Sequence, residues 1–209
     1  MLDYEKEIYK NGYKLIVGCD EAGRGPLCGP VVCASCILPI DYQNDMINDS
    51  KKLTDKKRRI LFEEIKKVAI DYSIVAISSE EIDQINIYEA SRKGMTVAIK
   101  NLKVKPDYIL TDCMPILEIK DIPQENLVKG DAKAMCIAAA SILAKVTRDD
   151  ILEELDRQYP QYKFKKHKGY PTKEHIELLN KYGPIKGLYR YSYKPVALAS
   201  LEKISLLEE

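Results

Sequence analysis

The chain has 209 residues, enough for one substantial core, and 45% of them are hydrophobic. Its 33 Lys and Arg nearly cancel 32 Asp and Glu, and the formal charge of +1 excludes a global attraction to nucleic acid, so a basic binding face has to be local. No apolar run approaches the roughly 18 residues of a membrane span, and six cysteines lying mostly in apolar runs, behind an N-terminus without signal-peptide character, read as a reduced cytoplasmic protein.

In chain order, the apolar, β-branched runs 13–19 and 31–38 predict the first two strands. The second carries Cys33 and Cys36, whose odd spacing on a strand sends the two thiols to opposite faces and argues against a metal or redox pair. Thr54 opens a helix with Leu61, Ile65, Val68 and Ala69 on one stripe; a third strand covers 72–77. Ser78 and Glu81 form a capping box for a helix running through Ile85, Met95, Ala98 and Leu102. Strands follow at 108–111 and, more weakly, near Leu127 and Val128. The small-residue segment 132–146 then predicts a helix packed tightly on the sheet. Beyond residue 160 the pattern turns helical, with a helix starting at Pro171 and stopping at Gly183. The order of elements predicts a mixed α/β domain with a helical C-terminal part, one unit over 1–209 with its core at about 13–160 and the helical segment at about 161–209.

Four carboxylates carry the chemistry. Asp20 and Glu21 follow the first strand, Asp112 ends Y-I-L-T-D, and Asp131 stands in V-K-G-D-A-K at the start of the small-residue helix. Taken singly, Asp112 reads equally as a turn residue and Asp131 as a helix N-terminal acid. Together at the carboxyl ends of neighbouring strands they would repel one another unless hard divalent cations joined them, which points to Mg²⁺ or Mn²⁺ and phosphoryl chemistry. With two histidines in the chain, a zinc site is poorly supplied.

The glycine-rich G-R-G-P-L-C-G lacks the spacing of a dinucleotide-binding fingerprint and continues into a strand rather than a helix. Gly23 and Gly25 instead let the backbone approach a sugar, leaving Arg24 free to pair with a phosphate. The stretch 159–172 interleaves lysines with tyrosines and reads either as a solvated loop or as a surface for phosphate contact and base stacking; Lys51, Lys52 and the residues 56–59 make a second basic cluster, or simply an exposed helix face.

These residues resemble the ribonuclease HII family of the ribonuclease H-like superfamily over roughly 13–196. The resemblance lies in D-E-A-G-R-G-P-L-C-G-P-V-V at 20–32, N-D-S-K-K-L at 48–53, Y-I-L-T-D at 108–112, K-G-D at 129–131, A-A-A-S-I-L-A-K-V-T-R-D at 138–149 and H-K-G-Y-P-T at 167–172. It implies a five-stranded mixed sheet flanked by helices, with Asp20, Glu21, Asp112 and Asp131 as metal-binding catalytic acids. Gly23, Arg24 and Gly25 would sense a ribose 2′-hydroxyl, Tyr170 would pack on the next sugar, and Lys51 and Lys52 would contact substrate. The implied activity is hydrolysis 5′ of a ribonucleotide in an RNA–DNA hybrid or embedded in duplex DNA, one metal activating water and a second stabilising the leaving 3′-oxygen, by a monomer. A junction-resolvase-type nuclease, which needs no 2′-hydroxyl, and a non-catalytic hybrid-binding module, which needs no four acids, are the alternatives. Two departures stand out: Cys113 follows Asp112 where glycine is usual, and R-Y-S-Y-K-P-V at 190–196 has Tyr193 where phenylalanine is common.

Overall fold

The computed structural model describes residues 2–49 and 53–205; Lys51 and Lys52 lie outside the described residues. Four predicted apolar runs form β1 (Ile16–Ala22), β2 (Val31–Ile37), β3 (Asp71–Ile77) and β4 (Tyr108–Asp112); the weak one near Leu127 and Val128 proves to be β5 (Gln124–Leu127), which is mostly polar and leaves Val128 outside. The five strands make one mixed sheet in the order β3-β2-β1-β4-β5, antiparallel between β1, β2 and β3 and parallel between β1, β4 and β5. Central β2 is buried along its whole length, as its unbroken apolar run requires.

The helices are α1 (Leu2–Lys10), α2 (Asp55–Val68), α3 (Ser79–Lys100), α4 (Met135–Gln158), α5 (Phe164–His167), α6 (Lys173–Tyr182) and α7 (Lys194–Ser205). The predicted caps operate: the Thr54 and Ser78 hydroxyls accept from the N–H groups of Lys57 and Glu81. The Ser78 box is half a box, because the Glu81 carboxylate pairs with Lys93 rather than reaching back. Asn86 (φ 68°, ψ 164°) breaks α3 into two segments, its side chain capping the second through Tyr88 N and Glu89 N. Helix α6 starts at Lys173 with Thr172 as N-cap, so Pro171 precedes the helix rather than opening it.

Cores lie on both faces of the sheet. Val17, Cys19, Cys33 and Ile109 pack on one side with Met95 and Ile99 of α3, while Ala34, Cys36, Leu61, Ile65, Ala139 and Leu143 fill the side of α2 and α4. The two thiols of the C-x-x-C therefore do face apart, and all six cysteines are free. Helix α4 crosses so close to β1 that a Cβ on Gly18 would sit 2.1 Å from the backbone carbon of Cys136, which is why this strand position carries glycine. The C-terminal helices build a further cluster in which Phe164, Leu179, Tyr189 and Val196 close over Leu27 and Leu152.

Helix α1 was not legible as a helix in the sequence. At nine residues it is too short to stand alone. It is held by the buried Glu5, whose carboxylate accepts from the N–H groups of Met135 (3.1 Å) and Cys136 (3.0 Å) and caps α4, a helix whose own Ala134 supplies no cap.

Candidate active site

The strand carrying the first two acids is longer than its hydrophobic pattern. Asp20 and Glu21 lie inside β1 rather than after it, opposite Ala34 and Cys33 of β2. Alternation then separates them: Asp20 shares the α4 face with Gly18, and Glu21 shares the opposite face with Cys19. The parallel register places Cys19 beside Thr111, so the next residues of the two strands, Asp20 and Asp112, stand as neighbours at the end of the β1–β4 pairing.

Asp20, Glu21 and Asp112 line one cleft of about 410 Å³ together with Gly23, Arg24, Gly25 and Tyr170. Burial, then the charge of Glu21, holds the Asp20 carboxyl well above the usual carboxylate range, although a hydrogen bond from Ser141 and the Glu21 N–H (2.7 Å) pull the other way. Burial pushes the Glu21 carboxyl up to about 6 against the opposing pull of Arg24, with Asp112 adding to the rise. Asp112 accepts from Gly130 N at 2.9 Å, which ties it to the 3₁₀ turn Gly130–Ala132 bearing Asp131. Asp131 is buried in that turn, before α4 rather than on it, and is not among the residues lining the cleft.

No three His, Cys, Asp or Glu side chains among the described residues close into a ready-made metal cage. What the cleft offers is a partial set of hard oxygen donors: two carboxyls destabilised by their own charge and burial, and a Glu21 Oε2 that is buried without a hydrogen-bond partner. That set fits a divalent cation such as Mg²⁺, which draws one or two carboxylates from protein and its remaining oxygens from water and substrate.

In the glycine turn, the neighbour that requires glycine at position 23 is a side chain of the protein itself. Gly23 has φ +104°, and a Cβ there would lie 2.2 Å from Nε of Arg148; a Cβ on Gly25 would touch the Tyr170 ring at 3.5 Å. Tyr170 is 43% exposed. Its backbone is fixed by His167 O (2.9 Å), Thr172 N (2.8 Å) and His175 Nδ1 (2.9 Å). Arg24 is not free, however: its guanidinium stands 3.5 Å from Glu21. Arg58, from the basic cluster 56–59, also lines the cleft, as do three residues that sequence reasoning missed, Ser141, Lys145 and Arg148. The i, i+4, i+7 spacing of these three on one face of α4 was the available signal.

Sheet order, flanking helices and a carboxylate-lined cleft beside a basic helix face define a metal-dependent nuclease with a ribonuclease H-like fold. The family model of ribonuclease HII matches residues 17–196. Relatives named ribonuclease HII include one from Acetivibrio thermocellus, 53% identical over 92% of this chain and 75% of its own, and one from Acholeplasma laidlawii, 50% identical over 94% and 95%. Among solved structures, the ribonuclease H2 of Pyrococcus horikoshii aligns with a TM-score of 0.75 at 27% identity, covering 90% of this chain and 97% of that one. The chain belongs to the ribonuclease HII family.

Proposed function

We infer that this protein is an endoribonuclease that hydrolyses the phosphodiester 5′ of a ribonucleotide, in an RNA–DNA hybrid or embedded in duplex DNA, leaving a 3′-hydroxyl and a 5′-phosphate. The observation that carries this reading is the single cleft in which Asp20, Glu21 and Asp112 meet the 23–25 turn and Tyr170.

Asp20, Glu21 and Asp112 would hold Mg²⁺ or Mn²⁺, with Asp131 assisting from the turn bonded to Asp112. Bound metal supplies the positive charge that a scissile phosphate and an attacking water need. Lys145 and Arg58 add positive charge around the cleft for the phosphate backbone. The backbone brought forward at Gly23 and Gly25 can reward a 2′-hydroxyl, which both donates and accepts, and the Tyr170 ring packs on the neighbouring sugar. Lys51 and Lys52 extend the same basic rim in this reading. The whole chain works as one catalytic unit, a monomer of the cytoplasm, consistent with six free cysteines. A junction resolvase would have no use for a turn built this closely around Gly23, and a hybrid-binding module none for the strained carboxylates.

Substitution tests the assignment. Asp20→Asn, Glu21→Gln and Asp112→Asn each abolish cleavage of a duplex carrying one ribonucleotide while the protein still melts cooperatively, and Asp131→Asn is milder. Wild-type rates in any of the first three would remove that residue from the site.

A further inference from the structure

Behind the 23–25 turn lies a guanidinium that the reaction scheme does not use. Arg190 is fully buried, and among the described residues its hydrogen bonds go to carbonyl oxygens and one phenol rather than to a carboxylate. Nη2 donates to Gly23 O (2.7 Å) and Gly29 O (2.8 Å), Nε to Gly29 O (3.1 Å), and Nη1 to Arg24 O (3.0 Å). Tyr193 completes the arrangement: its hydroxyl donates to Arg24 O (2.6 Å) and accepts from Arg190 Nη1 (3.1 Å), with the ring 5.3 Å from the guanidinium carbon. A buried cation with no carboxylate in hydrogen-bond contact is costly, and here it is sustained chiefly by the carbonyls of the turn itself.

We propose that Arg190 and Tyr193 are positioning residues that aim the 23–25 turn at the substrate's 2′-hydroxyl. The peptide bonds are trans, so a carbonyl held on one side turns the N–H of the same peptide unit to the other. Pinning Gly23 O and Arg24 O therefore sends the N–H groups of Arg24 and Gly25 away from Arg190, and both residues line the cleft. Neither N–H has a protein acceptor among the described residues. The second bond to Arg24 O comes from the Tyr193 hydroxyl. The inference rests on the turn being the 2′-hydroxyl reader.

The test is Tyr193→Phe, with Arg190→Lys beside it, on a duplex carrying one ribonucleotide and on the same duplex in all-DNA form. Single-turnover cleavage at saturating protein, affinity for the all-DNA duplex and thermal melting are measured together. Tyr193→Phe is expected to lower the maximal cleavage rate about 3- to 10-fold, with all-DNA affinity and melting temperature unchanged. Arg190→Lys, which keeps the charge but loses the fork, lowers the rate further at the same all-DNA affinity. A wild-type maximal rate in Tyr193→Phe overturns the proposal, as does a fall in rate that all-DNA affinity or melting follows in proportion. Failure of the wild-type protein to cleave the ribonucleotide duplex would instead remove the functional reading beneath it.

Discussion

At the scale of single residues, the site stores electrostatic repulsion. Asp20 has a folded-state pKa above its unfolded value, so ionising it opposes folding. Without metal, that penalty is absent below the unfolded pKa of about 4 and grows as pH rises toward the folded value. Asp20→Asn removes the charge yet keeps an oxygen for the Glu21 N–H. In chelator at pH 8 this variant should melt above the wild type; with Mg²⁺ the wild type should gain more than the variant. Equal or lower melting in chelator would contradict the repulsion. Of the four carboxylates that stand out in the sequence, Asp20, Glu21 and Asp112 come together in the cleft, while Asp131 lies outside its lining. The role of Ser141 was not legible, since it reads as one more small helix residue until α4 lies across β1. Cys113 is a further case: its φ of 57° explains why glycine suits that position, and only the backbone reveals it.

At the scale of elements, two buried polar arrangements hold the site from behind. Glu5 caps α4 and so fixes the helix that carries Ser141 and Lys145. Glu5→Ala leaves two buried N–H groups without an acceptor and should cost about 1–3 kcal/mol in urea unfolding; a loss below about 0.5 kcal/mol would show that α1 is dispensable. Beneath Tyr170, the rings of His167 and His175 stack with centroids 4.0 Å apart. Gly169 N donates to His167 Nδ1, which fixes that nitrogen as an acceptor, and His175 donates from Nδ1 to Tyr170 O, so the neutral rings are opposite tautomers. Burial, then His167, lowers the His175 pKa to about 4. The unfolded ring takes a proton near 6.5, so stability contributed by the neutral ring is intact above that pH and is lost as pH falls from about 6.5 toward 4, on the order of 3 kcal/mol in full. NMR titration of the ring should show no midpoint above pH 5; an ordinary midpoint near 6.5 would contradict the buried neutral form. Strands β1 to β4 were legible from β-branched runs, whereas β5, Gln-Glu-Asn-Leu, carries none. The extension of β1 through Asp20 and Glu21 was not legible, because charged residues end a hydrophobic pattern without ending the ladder, and α1 depends on contacts distant in sequence.

At the scale of the molecule, the near-zero net charge offers no global attraction to nucleic acid, and Arg24, Arg58, Lys145 and Arg148 gather positive charge around one cleft. If the 23–25 turn reads the 2′-hydroxyl as proposed, an all-DNA duplex would enter the cleft but leave the turn's donors unpaired, and sites built on such a contact reject its absence strongly. The most direct measurement compares cleavage of two duplexes that differ in one 2′-hydroxyl, each with Mg²⁺ and with chelator. The ribonucleotide duplex with Mg²⁺ should be cut once, on the 5′ side, to a 3′-hydroxyl and a 5′-phosphate, and the all-DNA duplex on the order of 10⁴-fold more slowly, with neither cut in chelator. Comparable cutting of both duplexes, or cutting that persists in chelator, would contradict the account.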